Sequence, residues 1–472
     1  MKKMKLEILS NEQLEKLHSS ALNLLEEVGV KALKEETLEI FNEAGAIVDK
    51  KRKLVKIPHT LVEEALKKAP REFKLGAREK KHSLEIKKGL IYARPSTGFT
   101  KVIDFKSNIA RYGICEDVAN ASKLIEDLEN ISINATHIFP SDVPHEIQDV
   151  YSFKLALENS GKHVVASPLS GKNLDFMSKI ASIFEKEMEA EPPLFSALVC
   201  PISPLTLRDD VSILCAKKKI PAIVNSAPIV GVASPVTLAG TMVLQSVESL
   251  ATITLIQLIN PGSPIIWGNK TTPLEMRFGT PLSGVVEIGL LSAMAVQVAN
   301  FYGLPSEGFG TRTDSKTLDE QAGAERIFVS LLPALAGATI DSGAGAIEAV
   351  ATFSLEQLVI DDEIYGMIFR VVKGVNFDDE TLALKEIAKV GPGGNFLGEE
   401  HTRKFYLKEF YQHKLFDKRS RKDWEEAGGK DIKREAYEKV KKMLAEHQPV
   451  PELSIKGKEE INKILHEAAS IM

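Results

Sequence analysis

The sequence predicts an α/β protein built on a (β/α)8 barrel of the TIM type, with an N-terminal α+β cap and C-terminal helices. From about residue 115, apolar strand-like runs alternate with helical stretches at roughly 30–45 residues per unit, which is typical of a parallel sheet. The runs are apolar on both faces and rich in β-branched residues, as strands buried beneath helices are. The glycine fingerprint of a dinucleotide-binding open sheet is absent, which favours the barrel.

Seven runs are expected to form barrel strands. In chain order they are ISINATHIFP, HVVASPL, LFSALVCPISPL, AIVNSAPIV, PIIWGNK, LPSEGFG and ATIDSGAG. An eighth strand is expected in IEAVATF (347–353), which would close the barrel.

The segments on either side of the barrel have different patterns. Residues 1–114 predict a cap: a helix over 11–28, further helices ending at Gly45 and beginning at Pro58, and a β-meander over 82–112. Residues 115–390 are assigned to the barrel. Residues 391–472, from GPGGNFLGEEHTRKFY onward, are charged and helical and are expected to pack on the outside of the barrel.

Bulk properties exclude several classes of protein. The chain has 472 residues, a net charge of −5 and a pI near 6.1, which argues against a nucleic-acid-binding surface. Three scattered cysteines are too few for a disulfide framework. The N-terminus lacks the apolar core of a secretory signal, and no uninterrupted apolar run reaches membrane-spanning length. We therefore expect a soluble cytoplasmic protein.

Common catalytic and metal-binding motifs are absent. The sequence has no GxxxxGK[ST], no HExxH and no CxxC, and its ten histidines are dispersed. His401 stands beside two carboxylates in GEEHTRK, but adjacent helical positions point in different directions. No structural or catalytic metal is predicted.

The remaining candidate site residues lie at the predicted carboxyl ends of strands, where barrel active sites assemble. One stretch, EGFGTRTDSKTLDEQ (307–321), is polar between two apolar segments. The ring of candidates comprises Asn134, His137, Ser167, Asn225, Trp267, Asn269, Lys270, Glu307, Arg312 and Asp341. Amide-bearing and aromatic side chains with an arginine and few acids are suited to a small zwitterion.

Arg312 is the candidate clamp for a carboxylate, because a guanidinium binds that group through two parallel hydrogen bonds. Trp267, Phe278 and Tyr92 are candidates to face a quaternary ammonium, at about 1–2 kcal/mol per desolvated contact. The substrate-binding set is completed by Phe99, Asp314, Asn225 and Glu348.

Each assignment has a structural alternative. Trp267 in a buried strand is also a normal core residue, and Arg312 could pair with Asp314 or Glu307. Lys270 at a strand end is either a Schiff-base lysine or an exposed one. Gly343 and Gly345 in DSGAGAIE indicate either close approach of a ligand or partner, or a tight turn.

Four segments carry a resemblance to a known family. In chain order they are LHSSALNLLEEVGV, TDSKTLDEQAGAE, FSLEQLVIDDEI and VGPGGNFLGEEHT. With them, nearly the whole chain resembles the trimethylamine methyltransferase superfamily, specifically its members that lack pyrrolysine. Founding members carry pyrrolysine in the region corresponding to EGFGTRTDSK, where this chain has ordinary residues.

The resemblance implies a barrel enzyme that moves a methyl group from a quaternary amine, such as glycine betaine, to the Co(I) of a cognate corrinoid protein. It implies that the corrinoid (cobalamin) belongs to that partner, so that no cofactor is bound tightly here. The loops SGAGA and GPGGN are expected at the mouth, where small residues would let the corrinoid approach. A homo-oligomer is also compatible with exposed apolar helices.

Two other functions stay open on the residues alone. One is a barrel enzyme of different chemistry that forms a Schiff base through Lys270. The other is a non-catalytic betaine-binding protein on the same fold, since fold alone does not establish activity.

Overall fold

The computed structural model describes residues 6–471 and places an eight-stranded parallel barrel at the centre of the chain. The barrel strands, numbered in chain order, are β1 (Tyr92–Pro95), β2 (Asn134–Ala135), β3 (Val164–Ala166), β4 (Phe195–Val199), β5 (Ala222–Ser226), β6 (Ile265–Asn269), β7 (Ser306–Phe309) and β8 (Ile340–Ala344). All neighbouring pairs from β2 round to β8, and from β8 to β1, are parallel.

One helix follows each strand. These helices are α1 (Cys115–Asp127), α2 (Gln148–Asn159), α3 (Gly171–Glu187), α4 (Asp209–Lys218), α5 (Leu238–Ile259), α6 (Val286–Tyr302), α7 (Glu320–Ala336) and α8 (Leu355–Lys373). The strict alternation of one strand and one helix confirms the predicted fold class.

The barrel closes through a strand from the predicted cap. A bridge joins Ala93 of β1 to Ile131, and the amides of Ser132 and Ile133 donate to the Ala93 carbonyl. The expectation that IEAVATF supplies the closing strand is therefore wrong. The barrel takes its first strand from within residues 1–114, while the division of the chain into three domains stays a prediction.

IEAVATF instead forms a hairpin beyond β8. Ala346–Ile347 pairs antiparallel with Thr352–Phe353, and this pair joins Lys101–Ile103 and Ala110–Tyr112 in a four-stranded sheet. Its turn, residues 348–350, has φ values of +54°, +51° and +70° in succession, without a glycine. The segment cannot be a barrel strand because this left-handed turn reverses the chain.

A second hairpin fills the end of the barrel at which the strands begin. Its strands, Phe73–Leu75 and Leu84–Ile86, pair with each other, and Leu75 and Ile86 join the interior cluster formed by the barrel strands. The carbonyl of Gly76 is 2.7 Å from Nδ1 of His163, which directly precedes β3. The predicted meander over 82–112 is thus divided among three sheets.

The N-terminal elements pack around α5. They comprise helices Asn11–Glu27, Glu35–Glu43 and His59–Lys68, with strands Val30–Lys31, Ile47–Asp49 and Leu54–Lys56. Among the described residues, α5 is the one helix long and apolar enough to cross a membrane by length and composition. Of the most apolar 18-residue stretch of α5, 78% is buried inside the protein, so α5 is a core helix surrounded by other helices.

The C-terminal region contains helices Asp379–Leu382, Leu384–Val390, Glu400–Glu409, Arg421–Glu426, Ile432–Glu446 and Ile455–Ile471. Ile432–Glu446 packs on α1 and α8, and Ile455–Ile471 packs on α3. These two helices lie on the outside of the barrel, while the packing of 391–472 as one domain stays a prediction. The earlier helices of this region contain no buried residue.

Candidate active site at the mouth of the barrel

A buried ion pair lies at the carboxyl ends of the barrel strands. Nε and one terminal nitrogen of Arg94 (β1) donate to the two oxygens of Glu307 (β7), each over 2.7 Å. Asn225 (β5) donates to the same carboxylate over 3.0 Å. Burial raises the pKa of Glu307, but the Arg94 guanidinium, the Lys270 charge and the Asn225 hydrogen bond together hold that pKa below its usual value. Glu307 is therefore ionised.

Gly268 on β6 provides the space that Asn225 occupies. A Cβ at Gly268 would lie 1.8 Å from Oδ1 of Asn225, far inside van der Waals contact. A side chain there would displace Asn225, and with it one of the hydrogen bonds that orient Glu307.

Lys270, directly after β6, brings an amine to the same site. Its Nζ donates only to Oγ1 of Thr97, over a long 3.3 Å. Burial lowers the pKa of Lys270 to about 8, with the nearby Arg94 and Arg312 charges acting in the same direction. The amine is mostly protonated at neutral pH and has no acidic partner within the described part of the chain.

Arg312 follows β7 and is fully buried. One terminal nitrogen donates to Oγ of Ser96 over 3.1 Å, and the guanidinium carbon lies 3.2 Å from the centre of the Phe309 ring. Its Nε has no hydrogen-bond partner. Burial and the Arg94 charge lower the pKa of Arg312 to about 9, so the group is still protonated at neutral pH.

Asp341 on β8 lies beside these groups without an ionic partner. Both of its carboxylate oxygens are buried and lack a hydrogen bond, and a Cβ on Gly310 would lie 1.7 Å from one of them. Burial first, and then the Glu307 charge, raise the pKa of Asp341 well above its ordinary value. Burial therefore favours the protonated, neutral form of Asp341.

The mouth consequently has a surplus of positive charge at neutral pH. Arg94, Lys270 and Arg312 are cationic, and these three charges exceed the two that Glu307 and Asp341 could carry together. In a buried setting such a surplus is costly unless an anion completes the site.

The structure brings some of the sequence candidates together and separates others. Asn225, Lys270, Glu307 and Arg312 meet at the mouth. Arg312 pairs with neither Glu307 nor Asp314. Glu307 forms its ion pair with Arg94. Asp314 accepts hydrogen bonds from the amides of Ser283 and Gly284.

The aromatic candidates do not form a cage around these charges. Trp267 is fully buried among the helices, 5.4 Å from the Tyr302 ring, because alternation along β6 turns it to the opposite face from Gly268. Tyr92 begins β1, and its hydroxyl donates to Glu85 of the hairpin at the other end. Phe99 packs against Phe353, 5.3 Å away. Phe278 is exposed on the loop after β6.

The remaining candidates have structural partners. Glu348 accepts from Thr352 in the left-handed turn, and His137 contacts Ser122 and stacks on Phe353. Asn134 donates to the Ala156 carbonyl, and the Ser167 amide donates to Thr136. Asn269 accepts from the Thr271 amide. A substrate-binding role for any of these residues stays a prediction.

Arg94 is the site residue that the sequence reasoning missed. It lies in YARPSTGF, from which Tyr92 and Phe99 were selected for their aromatic rings. An arginine flanked by alanine and proline in a four-residue strand has no amphipathic signal. Its partner, Glu307, is more than two hundred residues away.

The glycines after β8 are explained by packing within the chain. A Cβ on Gly343 would lie 2.1 Å from the Gly310 carbonyl oxygen, and one on Gly345 would lie 2.3 Å from the Phe353 ring. The loop GPGGN (391–395), which was expected at the mouth, belongs to the exposed segment that follows α8. That segment begins where α8 ends, at the opposite end of the barrel.

One group of potential metal ligands occurs among the described residues, outside the mouth. The ligand atoms of Glu79, His82 and Glu126 lie within 4.8 Å of one another. Glu126 already accepts from His82, Ser160 and the Gly161 amide, so hydrogen bonding accounts for the arrangement.

Comparison with solved structures gives distant barrel proteins. A dihydropteroate synthase from Xanthomonas albilineans is 10% identical, with a TM-score of 0.38, over 64% of this chain and 100% of that one.

Sequence relatives are much closer. A trimethylamine methyltransferase from Methanosarcina barkeri (strain Fusaro) is 36% identical over 94% of this chain and 92% of its own length. One from Desulfitobacterium hafniense (strain DCB-2) is 35% identical over 94% of this chain and 90% of its own length. A glycine betaine methyltransferase from D. hafniense (strain Y51) is 32% identical over 94% of both chains.

The model of the family described as trimethylamine methyltransferase (MTTB) matches residues 1–468. This match covers both the barrel and the elements packed around it, and the sequence contains no pyrrolysine. The chain therefore belongs to the trimethylamine methyltransferase family, as a member without pyrrolysine.

Proposed function

We propose that this protein transfers a methyl group from a carboxylate-bearing quaternary amine, a betaine, to the Co(I) of a corrinoid carried by a separate cytoplasmic protein. The observation that supports the proposal most is the surplus of buried positive charge at the mouth, because a substrate carboxylate would balance it. The relative described as a glycine betaine methyltransferase points to the same substrate class.

Lys270 and Arg312 bind the substrate carboxylate in this proposal. Each has donor capacity that its contacts to Thr97 and Ser96 leave unused. The Arg94–Glu307 pair is internally neutral and serves as a rigid wall that Asn225 fixes in place. The carboxylate then points into the barrel, and the trimethylammonium end points out toward the partner.

The same charges disfavour a simple amine. Trimethylamine is protonated at neutral pH and would bring one more cation to a site that already has a surplus. A betaine brings its own anion. Loss of a methyl group converts its ammonium nitrogen to a neutral amine, which relieves repulsion from Lys270 and Arg312. This interaction changes along the reaction coordinate and so contributes to the rate as well as to binding.

The reaction needs no general acid, because a quaternary ammonium leaves as a neutral tertiary amine. The corrinoid supplies the nucleophilic metal that accepts the methyl group, and the chemistry of that step belongs to the cofactor. The chain's own residues bind the carboxylate, orient one methyl group outward and exclude water.

A rim of exposed apolar side chains is suited to docking of the partner. Val232, Val236, Met276 and Phe278 lie on the loops that follow β5 and β6, and so on the same side as the mouth. Met276 reaches Gly231, where a Cβ would lie 2.7 Å from its methyl carbon, so the two loops pack together. Exposed apolar patches of this kind mark contact surfaces.

The test is the conversion of Co(I) to methyl-Co(III), followed spectroscopically with the cognate corrinoid protein and one amine at a time. Conversion is expected with a carboxylated quaternary amine and not with trimethylamine or tetramethylammonium. Arg312→Gln should raise KM for the betaine at least tenfold, whereas Lys316→Gln, an exposed neighbour, should not change it. Preferential use of trimethylamine, or an unchanged KM in Arg312→Gln, would overturn the proposal.

Lys270 also favours a second candidate function. A partly buried amine with a pKa of about 8 is a suitable Schiff-base nucleophile. Borohydride in the presence of small aldehydes and ketones would trap an adduct on Lys270 if the enzyme used imine chemistry. An unmodified Lys270 after that treatment removes this candidate.

A further inference from the structure

The segment after α8 lacks a core of its own. Residues 371–414, all of which the structure describes, include none that is buried, although the segment contains three helices. Short helices are marginal in water and owe most of their stability to packing of an apolar face. The apolar face of this segment therefore needs a partner surface.

The segment also exposes many large apolar side chains. We call residues 375–410 the arm. Its exposed apolar residues are Val375, Phe377, Leu384, Ile387, Phe396, Leu397, Tyr406, Leu407 and Phe410. A monomeric soluble protein rarely exposes so many together, and such patches mark protein contact surfaces.

The arm begins at the end of the barrel opposite the mouth. Asp362, near the middle of α8, accepts hydrogen bonds from the amides of Asn130 and Ile131, a few residues before β2. Val372 lines a cavity of about 630 Å³ together with residues 88–91 and 336–338, which lead into β1 and β8. In the last turn of α8, Arg370 holds the arm by donating to the carbonyl and carboxylate of Glu409.

This position argues against the corrinoid protein as the occupant. In the function proposed above, that protein must reach the mouth, whereas the arm extends from the other end. Only the exclusion of the corrinoid protein as the occupant rests on the proposed function.

The charges of the arm are suited to a copy of itself. Residues 375–410 contain seven acidic and five basic residues. The acidic ones include the run Asp378–Asp379–Glu380 and the basic ones include Arg403, Lys404 and Lys408 on the last helix. Lys404 already pairs with Glu380 within the chain. A twofold axis would set the acidic turn of one arm against the basic helix of the other.

We infer that the arm, residues 375–410, is the interface through which this chain forms a homodimer, arm against arm. The two copies bury the apolar side chains named above and leave both barrel mouths free. The arm is long enough to supply the roughly 20–30 residues a side that a stable interface uses.

Sedimentation of the full chain tests this inference without any measurement of activity. The wild-type protein should sediment as twice the 51.8 kDa of one chain. Phe377→Ser with Leu397→Ser should sediment as the monomer, and since these side chains are 82% and 88% exposed, the barrel should stay folded by circular dichroism. The matched control, Ile47→Ser with Ile455→Ser, alters side chains 68% and 79% exposed outside the arm and should remain dimeric.

Hydrogen exchange provides a second readout that does not depend on a variant. Amides of 375–410 should become protected as the wild-type concentration rises through the dimer range, while those of exposed loops elsewhere should not. A monomeric wild type, or a dimer that survives the double substitution, would overturn the inference. So would a variant that stays dimeric but loses methyl transfer to the corrinoid protein, because the arm would then serve that partner.

Discussion

Lys270 is the cation of the mouth whose charge changes nearest to neutral pH, because burial lowers its pKa to about 8. The protonated amine binds a carboxylate, so its contribution is fully present below that pKa and is lost above it. We expect kcat/KM for a betaine to fall as the pH rises through about 8, toward a plateau maintained by Arg312.

The matched variant for this pH profile is Lys270→Gln, which has no proton to lose. Its kcat/KM should be lower at pH 7 and should lack the step near pH 8. If the wild type and the variant share the same step, some other group titrates and Lys270 does not bind the substrate.

Gly268 offers a test of the Arg94–Glu307–Asn225 cluster. In Gly268→Ala the new Cβ would lie 1.8 Å from Oδ1 of Asn225 and would force that side chain away from Glu307. We expect a loss of stability of about 1–3 kcal/mol, typical of overpacking, with at least a tenfold loss of kcat.

The control for this substitution is Gly323→Ala on α7, where no atom lies within 4 Å of the added Cβ. Replacing a glycine inside a helix should stabilise the protein by about 0.5–1 kcal/mol. Thermal unfolding and methyl-transfer assays measure both variants, and equal behaviour of the two would show that Asn225 tolerates displacement.

At the residue scale, the carboxyl ends of the predicted strands indicated which residues lie at the mouth. Asn225, Lys270, Glu307 and Arg312 were expected at the mouth because they follow apolar runs, and the structure places them there. Their pairing was not predictable. The partner of Glu307 depends on the order of the strands around the barrel. Arg94 could not be recognised because its four-residue strand is too short to show alternation of apolar and polar residues.

At the scale of elements, the turn at residues 348–350 is a strained piece of backbone. Three consecutive residues other than glycine have positive φ, and the turn holds the loop after β7 through bonds from the Glu348 and Ala349 amides to Ser315 and Thr313. Left-handed backbone costs an L-residue about 1–2 kcal/mol. Strain of this kind is commonly found at functional sites.

Two neighbouring alanines provide a matched test of that strain. Ala349→Gly should raise the free energy of unfolding by about 0.5–1 kcal/mol, because φ is +51° there. Ala351→Gly should lower it by about 0.5–1 kcal/mol, because φ is −81° and glycine only gains freedom in the unfolded chain. Urea unfolding of the two variants measures the difference, and changes of the same sign would contradict the strain.

The error over the eighth strand has a physical cause at this scale. IEAVATF has the β-branched, apolar composition of a strand, and nothing in it marks a left-handed turn, which glycine would normally occupy. The actual closing strand, Tyr92–Pro95, contains an arginine and a proline. It is a strand because of neighbours on both sides of the barrel, which no local pattern reveals.

At the scale of the whole molecule, an obligatory contact between arms would couple stability to concentration. Because a dimer is favoured by mass action, the thermal midpoint of the wild type should rise with protein concentration. The Phe377→Ser and Leu397→Ser double variant should have a midpoint that is independent of concentration. A constant wild-type midpoint over a hundredfold range would contradict the coupling.

The barrel and its outer helices were predictable because periodicity over the long middle of the chain is a strong signal. The arm was not. Residues 375–390 were assigned to the barrel itself, and the charged helix Glu400–Glu409 was expected on its outside. The amphipathic pattern of a segment does not say which chain covers it.

The hairpin that fills the far end of the barrel has a kinetic consequence. With Leu75 and Ile86 packed inside that end, small molecules reach the charged site from the mouth alone, as far as the described residues show. A corrinoid protein seated on the apolar rim would close this entrance. The amine must then enter first and the demethylated product must leave last, so turnover follows a compulsory order. A large excess of the corrinoid protein should inhibit, because it would bind the enzyme before the amine has entered.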